Sequence, residues 1–303
     1  MKFTLDESCL SVGPGGAPQV NKVAVMRMAF GRDGLRLASG GFLDMLAAVQ
    51  DAVERLSQRL LGREPSTNSL SNCRGFWNEC LTMWVANNLS AEPRPPACFV
   101  RLDSNRDGSG FAGLFCGEMR AAIDPERHLA SNPDFLVLAP RVRSLVRPEA
   151  VEWLDAARLD ALLGQHELLA GRLRPGDVRG AISAKVSLRS DRRELLPFGG
   201  MRFKHAMEQA WRAGGRRAGQ RIRREFVPEY HNIALQPLGN TLVLRQQTSA
   251  LVKSFPSDST TQVSNARELR AALIAIGRSC MGRAARRGIF VGSSKVEDML
   301  DPR

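Results

Sequence analysis

Apolar residues recur at helical spacing from Phe42 to Leu61, which predicts a core helix there. A second helix is predicted from Arg74 to Asn88, with Phe76, Trp77, Cys80, Leu81, Trp84 and Val85 on its buried side. Glu79 lies inside that apolar stretch. A carboxylate on a buried face needs a partner or a metal, whereas on a solvent face it needs neither, and the periodicity leaves both open. Between the helices, Ser66–Asn72 reads as a polar loop. Upstream, Lys22–Phe30 and Leu35–Ala38 are strand-like runs broken by Gly-Pro-Gly-Gly and Arg-Asp-Gly turns, the pattern of a peripheral hairpin.

Further along, Ala97–Leu102 is a predicted strand, and Pro133-Asp134 opens an apolar strand running to Ala139. Asp103–Gly110 has the oxygen-bearing spacing of a calcium loop. Its twelfth position is Leu114 rather than an acid, so it is read as an Asx/Gly turn. Glu149–Leu173 reads as one or two helices with Glu152, Asp155 and Asp160 on a solvated face. Gly176–Gly180 is a turn into the next strand. Ile182, Ala184, Val186 and Leu188 then alternate with Ser183, Lys185 and Ser187, the period of a half-buried strand. Leu195–Gly200 is expected to be an irregular loop and Met201–Arg212 a helix carrying Lys204, His205 and Glu208. Asn232–Leu238 and Thr241–Gln246 are expected strands, Ser254–Ser264 a polar loop, and Ala266–Arg287 an amphipathic helix. The expected organisation is a single domain: a peripheral segment 1–40, a core 41–250, and a C-terminal loop and helix 251–303.

Charge changes this picture. Against 31 acidic residues stand 43 Lys and Arg, a net +12 with a pI near 10.3, which favours a polyanionic partner. The arginines at 212, 216, 217, 221, 223 and 224, interspersed with glycines, read as a phosphate-contacting loop, with Arg216 and Arg217 at its centre. The bland alternative is a solvated basic turn. Six scattered cysteines form no C-x-x-C, and none of the four histidines is close to one in sequence. Neither a zinc site nor a disulfide framework is therefore expected, and reduced thiols point to the cytoplasm. No apolar run is long enough to span a bilayer and no signal-like segment opens the chain, so no membrane association is expected.

The chemistry concentrates after Gly180. Arg189, Asp191 and Arg192 follow the Lys185 strand directly, and an Arg-x-Asp-Arg cluster has the groups to read G·C pairs. Arg forks pair with guanine O6 and N7, and a carboxylate accepts from cytosine N4. An edge strand with a surface lysine, running into a self-neutralising turn, is the alternative. Asp134 at a strand start, Lys185 on another strand and a further carboxylate are the groups that metal-assisted phosphodiester hydrolysis requires.

Pro133-Asp134, Ser183-Ala-Lys185 and Arg189-Ser-Asp-Arg192, in that order, resemble the type II restriction endonucleases of the PD-(D/E)xK superfamily. The likeness is to the CCGG-recognising, NgoMIV/SgrAI-like group. Gly75-Phe-Trp-Asn-Glu79 resembles that group's early helix. The resemblance implies an α/β fold with a mixed central sheet flanked by helices. It implies Mg²⁺-dependent cleavage of double-stranded DNA at a palindrome with a CCGG core, before the first C, by a homodimer or homotetramer. A companion methyltransferase would protect the host's DNA. Asp134 is then the metal ligand, Lys185 the catalytic lysine beside Ser183, and Glu79 a supporting acid; Arg189, Asp191 and Arg192 read the inner base pairs. One position departs from the pattern, since Gly199 stands where the group has its second metal-binding glutamate. Glu208 replaces it if Leu195–Gly200 is an inserted loop; Glu194 is the other possibility. A repair nuclease of the same superfamily and a non-catalytic DNA-binding protein remain the rival readings.

Overall fold

The computed structural model describes residues 3–102, 110–117, 120, 133–186, 195–218, 228–236 and 258–282. The chain opens with a small antiparallel hairpin, β1 (Leu10–Val12) and β2 (Pro18–Val20). Lys22–Ala29 is a helix, α1, rather than the expected strand. Asn21 caps it by accepting from the Ala24 amide, and Val25, Met26 and Ala29 turn into the core. Leu35–Ala38 forms no strand either.

Helix α2 spans Phe42–Leu61, as its periodicity predicts, and stops at Gly62, whose φ of 67° is the left-handed conformation glycine adopts freely. Helix α3 (Thr67–Ala91) starts earlier than expected because Ser66 caps it, its hydroxyl accepting from Ser69 N at 3.2 Å; Ser66–Asn72 is thus its cap and first turns, not a loop. From Phe76 to Ser90 this helix is buried on nearly every side, packed among α1, α2 and the sheet.

The sheet has five strands in the order β3 (Cys98–Arg101), β4 (Phe135–Leu138), β5 (Val178–Lys185), β6 (Glu229–Ala234) and β7 (Ser259–Gln262). The β3–β4 and β4–β5 pairs are antiparallel, while β5–β6 and β6–β7 are parallel. The Lys185 strand is therefore the central strand rather than an edge. It is buried on both faces along most of its length, which explains residues such as Val178, Ala181, Ile182 and Ala184 in succession. β7 lies where a polar loop was expected, and β6 begins three residues before the expected strand.

Two apolar layers cover the sheet. On one face, Phe135, Val137, Ile182, Ala184 and Ile233 pack with α1, α2, α3 and the C-terminal helix; on the other, Leu136, Leu138, Val178, Ala181 and Tyr230 pack with the helix that follows β5. Between β4 and β5 the chain makes two short helices, α4 (Arg143–Val146) and α5 (Ala156–Leu163), so the helical expectation for 149–173 holds only from Ala156 onward. The helix after β5, α6, spans Leu195–Ala218. It includes Leu195–Gly200, expected as a loop; Pro197 sits in the first turn, where its missing N–H has no intrahelical partner to lose. It also takes up residues 212–218, so the first part of the basic segment is helical. The final described helix, α7, covers Ala266–Gly282. Asp103–Gly108, Arg189–Glu194, residues 219–227, 241–246 and 283–303 lie outside the described residues.

Candidate active site

Strand register brings Asp134 and Lys185 together. Phe135 pairs with Ile182 across β4 and β5, so the residue preceding β4 lies beside Ser183 and Ala184, at the end of β5 that carries Lys185. Lys185 Nζ is 2.8 Å from Asp134 Oδ2 and 3.1 Å from Oδ1. The same Oδ2 accepts from the Ala184 amide at 2.7 Å and from Ser183 Oγ at 3.1 Å. Three donors on adjacent residues of one strand thus fix a single carboxylate, while the lysine remains 29% exposed. Ser183 is buried, and its hydroxyl orients Asp134.

Glu79 completes the group from α3. Its side chain, 23% exposed, faces a cleft rather than apolar core: with Lys185 it lines a space of about 360 Å³ that also includes Glu54, Glu64, Arg74 and Gln236. Arg101, on β3, donates to Glu79 Oε2 through Nη2 at 2.9 Å and Nε at 3.2 Å, and is itself only 7% exposed. Burial pushes the Glu79 carboxyl above its ordinary range and the nearby Asp134 charge pushes it the same way; Arg101 and Lys185 oppose them. The site thus sets two carboxylates against two cations. Arg101 was not singled out in the sequence, where it reads as one residue of a short strand; its burial at a strand end beside an acid-bearing helix is visible only in three dimensions.

An all-oxygen donor set with two mutually repelling carboxylates is what a hard divalent cation satisfies. Asp134 and Glu79, whose charges are coupled, are acids that could hold such an ion. Glu208 is half-buried on α6, nine residues beyond Gly199 and about 13 Å further along the helix axis. Leu195–Gly200 is helix rather than the irregular loop expected, so Glu208 shares one helix with Gly199. Among the described residues no cluster of three possible metal ligands forms around Asp134. The backbones of Arg216 and Arg217 lie in the last turn of α6, while Arg189, Asp191, Arg192 and Glu194 lie outside the described residues.

A family model for the Cfr10I/Bse634I restriction endonucleases matches residues 35–218, a span that includes α2, α3, Asp134, β5 and α6. The chain belongs to that family. It is a type II site-specific DNA endonuclease, of a family that generally uses divalent metal ions. Its fold is similar to the crystal structure of the Type IIF restriction endonuclease Bse634I with cognate DNA. The TM-score is 0.70 at 15% identity, covering 88% of this chain and 97% of that one. A second Bse634I structure gives 0.69 at 16% identity, covering 89% and 98%. No curated protein matches the chain. Among the described residues, no helix of this restriction endonuclease is long and apolar enough to cross a membrane.

Proposed function

We propose that this endonuclease cleaves double-stranded DNA in a Mg²⁺-dependent reaction at a palindromic site with a CCGG core. The observation that carries the proposal is the Asp134–Lys185 pair, held across β4 and β5, with Lys185 lining a cleft shared with Glu79. Asp134 and Glu79 would hold the cation. When bound, Mg²⁺ supplies Lewis acidity at the scissile phosphate and lowers the pKa of a coordinated water. Lys185, anchored by Asp134, directs its remaining N–H groups toward the phosphate, where they offset charge developing in the transition state and orient the attacking water. Ser183 and the Ala184 amide keep the carboxylate from rotating away from the lysine. Glu79, held by Arg101, sets the second carboxylate at a fixed position.

Sequence reading is assigned to Arg189, Asp191 and Arg192, which follow the catalytic strand within seven residues of Lys185. Their donors and acceptor match guanine and cytosine edges. Arg216 and Arg217, with the net charge of +12, would contact phosphates. One structure with which the fold aligns holds cognate DNA. A palindromic site calls for a two-fold symmetric enzyme, hence a homodimer or a tetramer built from such dimers. A companion methyltransferase would protect the same site in the host, whose cytoplasm is the compartment proposed.

The test is digestion of a plasmid of known sequence with purified protein and Mg²⁺, with the fragment ends sequenced. Discrete ends at CCGG-containing sites are expected. The Lys185→Ala variant should cut at least about 10³-fold more slowly while still binding the site with Ca²⁺ in place of Mg²⁺. Cutting unrelated to CCGG, or undiminished in that variant, would sink the proposal.

A further inference from the structure

On the α7 side of the sheet, three residues distant in sequence converge without a role in the reaction above. Glu229 and His231 alternate along β6 and so project to the same face, and Cys280 descends on them from the end of α7. All three are buried: 6%, 3% and 4% exposed, respectively. His231 Nε2 is 3.1 Å from Glu229 Oε2 and 3.6 Å from Cys280 Sγ, and Sγ is 4.0 Å from Glu229 Oε2.

We propose that Glu229, His231 and Cys280 form a Zn²⁺ site that ties α7 to the central sheet. A tetrahedral zinc ion with ordinary Zn–S, Zn–N and Zn–O lengths holds such donors about 3.3–3.6 Å apart, so the three spacings need shifts of only a few tenths of an ångström. The donor set of one thiolate, one imidazole and one carboxylate suits borderline zinc and does not suit Mg²⁺. The three side chains supply three of the four ligands zinc usually takes. Two further features belong to the same construction. His231 Nδ1 lies 2.8 Å from Ser259 Oγ on β7, which turns Nε2 toward the cluster, as outer-shell hydrogen bonds do for metal-bound histidines. Gly180, opposite Glu229 on β5, leaves the space that Cys280 Sγ needs: a Cβ there would stand 2.8 Å from the sulfur and 2.9 Å from Glu229 O. No pairing of cysteine and histidine was expected from the sequence, because 49 residues separate His231 from Cys280. The zinc site is distinct from the cleft: His231 and Ala234, the partner of Lys185, are about 10 Å apart along β6.

The test uses untagged full-length protein purified without chelator. Elemental analysis should find about one zinc per chain. Cobalt exchanged into the site should give a near-ultraviolet thiolate-to-metal band and the visible bands of a tetrahedral ion. Cys280→Ser and His231→Gln should lose the metal and melt about 5–10 °C lower. Cys116→Ser, at an exposed thiol, and Asp134→Asn should keep it. Should the first two variants fail to fold, the wild-type cobalt spectrum decides alone. Zinc that persists in a folded Cys280→Ser variant, or wild-type protein that neither contains zinc nor gives a thiolate–cobalt band, overturns the proposal.

Discussion

Arg101 Nη2 lies 2.9 Å from Glu79 Oε2, and the arginine that makes this contact is almost sealed from solvent. It comes from β3, an antiparallel strand outside the Asp134–Lys185 pair, and Phe76, one turn before Glu79, packs beneath its guanidinium at 5.7 Å. Removing one partner of a buried ion pair leaves the other charge uncompensated. Arg101→Met should therefore destabilise the protein by about 3 kcal/mol, measured by urea unfolding. A loss below about 1 kcal/mol would mean that solvent already screens the pair.

The raised Glu79 carboxyl has a signature in pH. A group whose folded value lies above its unfolded one contributes stability that is complete below the unfolded value, about 4.3, and is lost as pH rises through the folded value. Metal-free wild-type protein should thus lose melting temperature from about pH 4 upward relative to Glu79→Gln, which cannot ionise. Adding Ca²⁺ should narrow the difference. Thermal melts of both proteins across that range check this, and parallel curves would contradict it.

Glu208 and Glu79 make opposite predictions. Glu79 lies close enough to Asp134 for their charges to couple, so Glu79→Gln should slow cleavage about 100-fold or more, whereas Glu208→Gln should cleave within about threefold of wild type. Single-turnover rates at saturating Mg²⁺ separate the two. A severe defect in a folded Glu208→Gln variant would assign the second metal-binding acid to Glu208 instead.

Specificity should divide along similar lines. Arg192→Ala and Arg189→Ala should each weaken CCGG discrimination by about 1–3 kcal/mol in binding competition. Arg216→Ala should weaken cognate and non-cognate binding alike and reduce the salt dependence. Equal losses on every duplex for all three would assign Arg189 and Arg192 to the backbone instead.

Much of this architecture was legible in the sequence. The α2 pattern gave its bounds, Pro133-Asp134 marked the start of β4, and Ser183-Ala-Lys185 falls at the end of β5 where Lys185 meets Asp134. What escaped notice has identifiable causes. Lys22–Phe30 mixes Val and Met in a way that fits either period, and Asn21, a good cap, was the overlooked signal. Pro197 with two following glycines reads as a loop, although a proline in a first turn is compatible with helix. The apolar run of β5 alternates only in its second half, so its central place in the sheet was hidden. Arg101, and the meeting of His231 with Cys280, depend on tertiary contacts that no local pattern carries.

Asp134 and Lys185 sit at adjoining ends of β4 and β5, strands whose pairing runs through the most deeply buried part of the molecule. Amide hydrogens there should exchange only when the sheet as a whole opens. With the pair fixed by strand pairing, heat should extinguish activity and fold in one step, and activity lost well below the unfolding transition would place the essential groups elsewhere. If those two side chains do the cutting, their geometry is set as soon as the sheet has formed, and DNA need not assemble it.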